Sequence, residues 1–381
     1  MNLKSYTCFI LVSITLALSG SISFAGSRDS VHVTLSPRVT GYSNSTIREV
    51  LDLWIEYLNS RPDSLYDNPY WSLEERRKLK YYDLSGSLLY RGMGKYFLQT
   101  WKPLVLSVDS ISDGYRIQTA YVQCDTDYFY QSLWALQNVL VKRERGAWRL
   151  FNALPLEAAK LCNEKQLGRF KFIYSKGHTF NEAMAFKTVT FIDSLATQFS
   201  IPLRDTYEYY LTDNISDLTE LIGMPFCLSM STGVTYPEDG RIFTASGREF
   251  YPHELTHLLL GVCGSSFASE GIATWQGGSG FKEGSLENSI PEATEVARQA
   301  AQMPLDSLIV TPWHFRSKDL FYVTAGMVAA LVYNAEGAAG IKKLQNVKQD
   351  ELTVLIEKML NTTDLTVGKI WDRYSKIKKS N

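Results

Sequence analysis

The sequence has little of the material that several common functional sites require. Its five cysteines include no CxxC pair, which argues against a zinc knuckle built from thiolates. Its glycine-rich stretch GGSGFKEGS, residues 277–285, lacks the GK[ST] ending of a phosphate-binding loop. Its net charge is only −1, so it lacks the basic excess that is typical of nucleic-acid-binding proteins. We therefore expect neither a nucleotide-binding loop nor a nucleic-acid partner.

Long hydrophobic runs are confined to the N-terminus. An apolar segment from Phe9 to Leu18 is followed by the small residues Ser23 and Ala25, at the −3 and −1 positions of a cleavage site. This pattern predicts a signal peptide over residues 1–25 and a secreted or periplasmic protein. The alternative, an uncleaved membrane anchor, has too short an apolar core to span comfortably. No later segment has 18 consecutive apolar residues, so we expect no membrane span in the remaining chain of roughly 355 residues.

Four cysteines remain after the predicted cleavage, namely Cys124, Cys162, Cys227 and Cys263. Export permits disulfide bonds. Four cysteines allow three complete pairings, and their long spacings favour none of them. Unpaired, buried thiols agree equally well with the sequence.

Residues 29–160 form the first of two predicted domains. A helical pattern in STIREVLDLWIEYLNS begins at Ser45 or Thr46, either of which is a candidate cap. Strand patterns then flank two tight turns, one at SDG and one at Arg145–Gly146. A helix followed by a curved antiparallel sheet resembles the NTF2-like cone fold. That resemblance implies a small-ligand pocket or a structural, partner-binding accessory module, and we favour the second.

Residues 168–381 form the second predicted domain. Strands are predicted at RFKFIYSKG, TYEYYLT and RIFTAS. A long amphipathic helix is predicted from about Asn181 to Phe199, with Phe186, Thr190 and Leu195 among its spaced positions. After residue 250 the pattern is helical down to the basic tail. The predicted fold class is therefore α+β with two domains, the second being mostly helical after a small sheet.

The stretch FYPHELTHLLLG, residues 250–261, holds two of the five histidines. His253 and His257 are four positions apart, so on a helix both imidazoles point from one face and can bind a single metal ion. Imidazole nitrogen suits Zn²⁺. Glu254 follows the first histidine directly and can take a proton from a metal-bound water. The spacing predicts a catalytic zinc site on this helix.

A catalytic zinc needs a third protein ligand. The stretch SSFASEGIATW, residues 265–275, supplies Glu270 at the start of a second predicted helix, with Ser269 as its cap. The small residues Gly271 and Ala273 would allow this helix to lie against the first one. Glu270 is therefore the candidate third ligand.

HELTH followed by a short loop and SEGIATW resembles the gluzincin metallopeptidases, specifically the peptidase-MA-like group with HExxH and an EGxA helix. The resemblance covers roughly residues 168–345 and implies a zincin-like domain that hydrolyses peptides or proteins. It implies that His253, His257 and Glu270 bind Zn²⁺ and that Glu254 is the general base. Glu270 follows His257 by thirteen positions, a shorter spacing than in the aminopeptidase and thermolysin branches.

The same resemblance implies two further features. Tyr322, in the helical pattern FYVTAGMVAALVYNAEGAAGIKKL, would lie near the metal and hydrogen-bond an oxyanion. The strand RIFTAS would lie beside the cleft and pair with an extended substrate. The metzincin pattern does not fit, because it requires glycine and histidine where this chain has Leu260 and Cys263.

Two other interpretations of the motif stay open. The chain could be a non-catalytic, peptidase-like binding protein of the cell envelope, although the intact Glu254 argues against lost activity. HELTH could also be an ordinary buried helix, but two histidines and a glutamate are costly to bury without partners. The remaining histidines, His32, His178 and His314, are interpreted as surface or packing residues.

Overall fold

A computed structural model describes residues 31–40, 44–60, 68–90, 94–124, 130–228, 230–261, 263–279, 286–310 and 318–380. The predicted signal peptide at 1–25, His314 and most of the glycine-rich stretch 277–285 lie outside these ranges. No helix within them combines the length and apolar character needed to cross a bilayer.

The elements up to residue 161 are β1 (Thr34–Leu35), α1 (Pro37–Thr40), α2 (Ser45–Asn59), α3 (Leu73–Lys78), α4 (Leu84–Tyr90), α5 (Gly94–Thr100), β2 (Lys102–Ile111), β3 (Gly114–Cys124), β4 (Tyr130–Glu144), β5 (Ala147–Asn152) and α6 (Leu154–Leu161). The elements after it are β6 (Cys162–Leu167), β7 (Phe170–Ser175), α7 (Glu182–Phe199), β8 (Tyr207–Leu211), α8 (Ile215–Leu221), β9 (Phe226–Cys227), β10 (Gly233–Tyr236), β11 (Arg241–Thr244), α9 (Pro252–Leu260), α10 (Ser266–Gly277), α11 (Leu286–Gln299), α12 (Leu305–Val310), α13 (Lys318–Asn346), α14 (Leu352–Met359) and α15 (Val367–Ser380).

The contacts divide the chain into two compact units. The first comprises the described residues of Met1–Leu154 and Thr219–Met230, and the second comprises those of Pro155–Leu218 and Ser231–Asn381. The predicted α+β class with two domains is confirmed. The sequence pattern did not predict that residues 219–230 belong with the N-terminal part of the chain.

The first unit is built on one sheet with the order β1-β2-β3-β4-β5, and β9 pairs with β4. Both predicted hairpins are present, formed by β2 with β3 and by β4 with β5. The second turn uses two left-handed residues, Arg145 and Gly146, with φ of 51° and 85°. Two such residues in a row match the twist of the strands that they join.

Helix α2 buries one apolar face in the first unit, made of Val50, Leu51, Trp54, Tyr57 and Leu58. The indole nitrogen of Trp54 donates a hydrogen bond to the Thr119 hydroxyl on β3, which fixes the helix against the sheet. The predicted cap at Ser45 or Thr46 is wrong. Asn44 caps the helix instead, because its side-chain oxygen accepts from the Thr46 backbone nitrogen at 2.9 Å.

The second unit begins with a five-stranded sheet of order β10-β11-β8-β7-β6. The three inner strands β7, β8 and β11 run parallel, and the outer strands β6 and β10 are antiparallel to their neighbours. The expectation that RIFTAS pairs with a substrate is wrong. Its strand β11 already pairs on both sides, with β8 and with β10, so it has no free edge for another strand.

Two apolar cores stabilise the second unit. One joins the sheet to α7 and α9 and contains Phe172, Ile192, Tyr209, Leu255 and Leu258. The other lies among the helices from α10 to α15. Helix α7 buries only part of the face predicted for it. Leu195 is buried as predicted, whereas Phe186 is 58% exposed and Thr190 is exposed as well. Thr188 and Ile192 are buried in their place.

A partly buried charge cluster anchors the loop that precedes α9. The His178 ring lies between two carboxylates, with Nδ1 2.6 Å from Asp213 Oδ1 and Nε2 3.0 Å from Glu249 Oε1. Glu249 also accepts a hydrogen bond from the Asn181 backbone nitrogen, and its own carbonyl accepts one from the Thr188 hydroxyl. These contacts hold the chain just before the helix that carries HELTH. His178 is therefore a packing residue with an ion-paired ring.

We expect His178 to stabilise the fold in a pH-dependent way. Burial lowers the pKa of His178, but the hydrogen bonds and charges of Glu249 and Asp213 outweigh it, so the net pKa is raised above 6.5. The stabilisation is therefore fully present below pH 6.5 and is lost as the pH rises through the folded-state pKa. Thermal unfolding of His178→Gln and wild type at several pH values measures this.

The matched control is His32→Gln, because the His32 side chain is exposed. The difference in melting temperature between wild type and His178→Gln should be largest in mild acid and should shrink in mild base. A difference that stays constant with pH would contradict a charged His178.

Candidate metal centre

The sequence of α9 places its polar residues on one side of the helix. Pro252 occupies the first turn, where its missing N–H is no loss, and Gly261 ends the helix with φ of 77°. Leu255 and Leu258 enter the core shared with the sheet. His253 and His257 consequently project together, with ring centroids 4.9 Å apart.

Helix α10 begins earlier than predicted. Ser265 is its N-cap residue, and Ser266 is its first helical residue. The prediction that Ser269 caps the helix and that Glu270 opens it is wrong, because the Ser269 backbone nitrogen already donates to the Ser265 carbonyl at 3.0 Å. Ser269 and Glu270 therefore lie inside the regular helix, which holds the Glu270 side chain on a rigid support.

The three predicted ligands converge. Ligand atoms of His253, His257 and Glu270 all lie within 4.8 Å of one another. Oε2 of Glu270 is 3.1 Å from His253 Nε2 and 3.6 Å from His257 Nε2. Donor atoms around a tetrahedral zinc with bonds of 2.0–2.1 Å are about 3.3–3.4 Å apart. The observed spacings lie on either side of that value, so these residues fit a zinc ion.

The other ring nitrogens face groups that set the ring orientation. His253 Nδ1 is 2.9 Å from the Gly278 carbonyl oxygen, which can only accept. That contact places the proton on Nδ1 and leaves the Nε2 lone pair for a metal. His257 Nδ1 faces the Ser269 hydroxyl at 3.5 Å. Both supporting groups come from α10 or its C-terminal end, which also carries Glu270.

The carboxylate and the imidazoles perturb one another. Burial lowers the pKa of His253, but the hydrogen bond and charge of Glu270 outweigh it and raise the pKa above 6.5. Burial raises the pKa of Glu270, yet the charge of His257 and the hydrogen bonds from both histidines bring it well below its usual range. Glu270 is therefore ionised at neutral pH, and protons compete with a metal for His253.

Two glycines allow α10 to approach its neighbours closely. A Cβ at Gly277 would overlap the backbone of Pro252 and His253 at the start of α9. A Cβ at Gly271 would lie 2.5 Å from the Ala325 carbonyl oxygen on α13. Helix α10 therefore fits between α9 and α13 because these two positions have no side chain.

Two tyrosines border the charged cluster. Tyr322, the predicted oxyanion donor, lies on α13 with its ring centroid 6.1 Å from that of His253. Tyr251 lies directly before α9, 6.4 Å from the same ring, and its hydroxyl is hydrogen-bonded to Thr232. Burial first, and then nearby glutamate charges, raise the pKa of both phenols. Both therefore stay protonated as hydrogen-bond donors, and Tyr251 is a neighbour that the sequence interpretation missed.

Glu254 is held by a strand that the sequence interpretation also missed. Its carboxylate accepts a hydrogen bond from the Thr235 hydroxyl of β10 at 2.6 Å. The alternation in GVTY, residues 233–236, was the signal for that strand, but it follows a stretch rich in Gly, Pro and Ser that reads as a loop. The charge of Glu254 is one of the causes that raise the pKa of His253 and Tyr322, so it belongs to the same cluster.

Cysteine does not contribute to the three-ligand group in the part of the chain that the structure describes. Cys162 and Cys263 carry free thiols, so neither of these two cysteines forms a disulfide bond. Burial raises the pKa of the Cys263 thiol to about 11, with the Ser269 hydroxyl opposing the shift. A neutral thiol is a poor zinc ligand. The donor set is therefore two imidazoles and one carboxylate.

Comparison with known proteins finds no family model and no curated protein that matches this sequence. The function is therefore inferred from the chemistry of the site itself.

Loss of the carboxylate ligand should weaken metal binding strongly. Glu270→Ala leaves two imidazoles and should reduce the affinity for Zn²⁺ by more than about 100-fold, beyond the range typical of outer-shell changes. Competition with a chromogenic chelator measures the affinity. Glu295→Ala is the control, because that glutamate is exposed on α11. Equal affinities for the two variants would show that the third ligand lies elsewhere.

Widening the gap between α9 and α10 should affect stability and metal binding together. In Gly277→Ala the new methyl group meets backbone atoms, so we expect a loss of about 1–3 kcal/mol in the free energy of unfolding. Zinc affinity should fall with it, because Glu270 moves with α10. Gly177→Ala is the control, since a Cβ there meets nothing within 4 Å. If both variants match wild type, the close approach of the helices is not required.

Proposed function

We propose that this protein is a zinc metallopeptidase. The observation that carries the proposal is the convergence of His253, His257 and Glu270 from two helices, with ligand atoms within 4.8 Å of one another. Two imidazoles and one carboxylate are the donor set of catalytic zinc sites that keep a position open for water. The order of the residues, HExxH followed by a glutamate on the next helix, supports the gluzincin type.

The proposed chemistry divides between the metal and the chain. Zn²⁺ at this site would polarise a substrate carbonyl and lower the pKa of a water molecule. Glu254 acts as the general base: one of its carboxylate oxygens accepts the proton from the attacking water. The same oxygen then delivers that proton to the leaving amine nitrogen. The peptide C–N bond breaks, and a carboxylic acid and an amine are released.

Tyr322 is the proposed donor to the oxygen of the substrate carbonyl, where negative charge develops during attack. Its raised pKa supports this role, because a phenol that stays protonated can donate a hydrogen bond. Within the described ranges no residue forms a hydrogen bond with the Tyr322 hydroxyl. Tyr251 differs in that its hydroxyl is bonded to Thr232.

The proposed substrate is a peptide in an extended conformation. Strand β10 is one of the two edges of the sheet, since it ends the strand order and pairs only with β11 among the described strands. An extended peptide can add to such an edge through backbone hydrogen bonds. Because β10 carries Thr235, which touches Glu254, this edge runs next to the proposed base.

We also propose that the protein acts outside the cytoplasm and that the first unit is an accessory module with an NTF2-like fold. The signal-peptide pattern at 1–25 supports export. The packing of helix α2 against the antiparallel strands β2 to β5 supports the resemblance of the module. A chain that holds zinc without cleaving any peptide would instead be a non-catalytic binding protein.

The experiment that tests the proposal compares Glu254→Gln with wild type. The mature chain is purified, its zinc content is measured, and cleavage of a broad peptide library is profiled by mass spectrometry. Glu254→Gln should keep zinc and lose hydrolysis by about 10²–10⁴-fold, the contribution typical of a general base. Glu295→Gln is the control for the same chemical change on an exposed residue. Unchanged turnover in Glu254→Gln would remove Glu254 as the base.

A further inference from the structure

Glu254 is placed by strand β10 as well as by its own helix. Gly233 and Thr235 are two positions apart on this strand, so both face the same side of the sheet. That side meets Glu254 on α9. The Thr235 hydroxyl lies 2.6 Å from Glu254 Oε2, and a Cβ at Gly233 would lie 2.5 Å from Oε1. One oxygen is thus held by a donor, and the other lies over a residue without a side chain.

We propose that Thr235 is a positioning residue for Glu254, and that Gly233 provides the space in which the carboxylate sits. This inference rests on the proposed function, in which Glu254 moves a proton. Thr235 fixes Oε2, so Oε1 is the oxygen that transfers the proton. The strand that offers its edge to the substrate therefore also orients the base.

The hydrogen bond from Thr235 is needed because the Glu254 side chain can otherwise rotate about its last torsion. The last torsion of glutamate has a broad energy profile, so an untethered carboxylate samples many orientations. A hydrogen bond from a hydroxyl to an ionised carboxylate is short and roughly twice as strong as a neutral one. A distance of 2.6 Å lies in that short range. Proton transfer depends on alignment, and misplacement of about 1 Å costs about 100-fold in rate.

Gly233 has a matching steric role. A side chain there would meet three atoms of Glu254, namely Oε1, Cδ and Cγ, at 2.5–2.9 Å. The carboxylate would have to move away from β10 and lose the Thr235 contact. The position does not need glycine for its backbone, because its φ is outside the left-handed region. Space for Glu254 is therefore the reason for glycine at 233.

The test uses the zinc-loaded mature chain and the best peptide found in the library profile. Thr235→Val keeps the shape and the strand preference of threonine but removes the hydroxyl, whereas Thr235→Ser restores it. We expect Thr235→Val to lower kcat by about 10- to 100-fold with KM changed less than about threefold. Thr235→Ser should recover kcat to within about threefold of wild type. Thr190→Val, on the exposed side of α7, is the control and should match wild type.

A second measurement does not depend on activity. Denaturant midpoints of the metal-free chain are measured for wild type, Thr235→Val, Glu254→Ala and the double variant. If the hydroxyl bonds the carboxylate, the shifts of the two single variants will not add up to the shift of the double variant. Zinc content should be equal in wild type and Thr235→Val, which separates positioning of the base from damage to the metal site.

The outcomes separate this inference from the function on which it rests. If the midpoint shifts of the two single variants add up to the shift of the double variant, the hydrogen bond between Thr235 and Glu254 is overturned. If the midpoint shifts do not add up but kcat of Thr235→Val is unchanged, the contact is only structural. That result would overturn the positioning role. A lowered kcat that Thr235→Ser does not recover would also overturn it. A wild-type chain that holds zinc and cleaves nothing overturns the proposed function, and the catalytic role of Thr235 with it.

Discussion

The close packing of α10 against α9 is the constraint on which the site depends. Each helix belongs to a different core of the second unit, α9 to the core under the sheet and α10 to the helical core. The two histidines and Glu270 meet where the absence of a side chain at Gly277 lets the backbones of α9 and α10 approach. Helix α10 also supplies the groups that face the outer nitrogens of both rings. One helix thus provides one proposed metal ligand and the groups that orient the other two.

Charge explains why such an arrangement is maintained in a buried place. An ionised Glu270 and two imidazoles compensate one another, whereas any of them alone would be costly to bury. Metal binding would exploit the same compensation, because the carboxylate attracts a cation as it attracts a protonated histidine. The interactions that stabilise the cluster without a metal are of the kind that would also favour a bound cation. Glu254 stays separate from the ligand group because Thr235 draws its carboxylate towards β10.

Much of the site could be predicted from sequence because its information is local. The i, i+4 spacing of His253 and His257, with Pro252 before and Gly261 after, defines a helix and a shared face within one short stretch. The identity of Glu270 as a partner also followed from a short segment. The start of α10 did not, because serines at 265, 266 and 269 are all good caps and the sequence pattern does not choose among them.

What sequence could not provide is the order of the strands and the contacts between distant segments. RIFTAS was predicted as a strand correctly but was assigned to the wrong place in the sheet, since its pattern is the same at an edge or inside. Thr235 could not be linked to Glu254, because nothing in the intervening residues fixes their separation. Phe186 shows the opposite problem, since an apolar residue at helical spacing is exposed on α7.

X-ray absorption spectroscopy of the zinc-loaded mature chain tests the central claim most directly. Three side chains from α9 and α10 should give one zinc per chain, with nitrogen and oxygen neighbours at about 2.0–2.1 Å and the outer-shell signal of two imidazoles. A sulfur neighbour at about 2.3 Å, or a spectrum without imidazole, would place the metal on other residues and contradict the account.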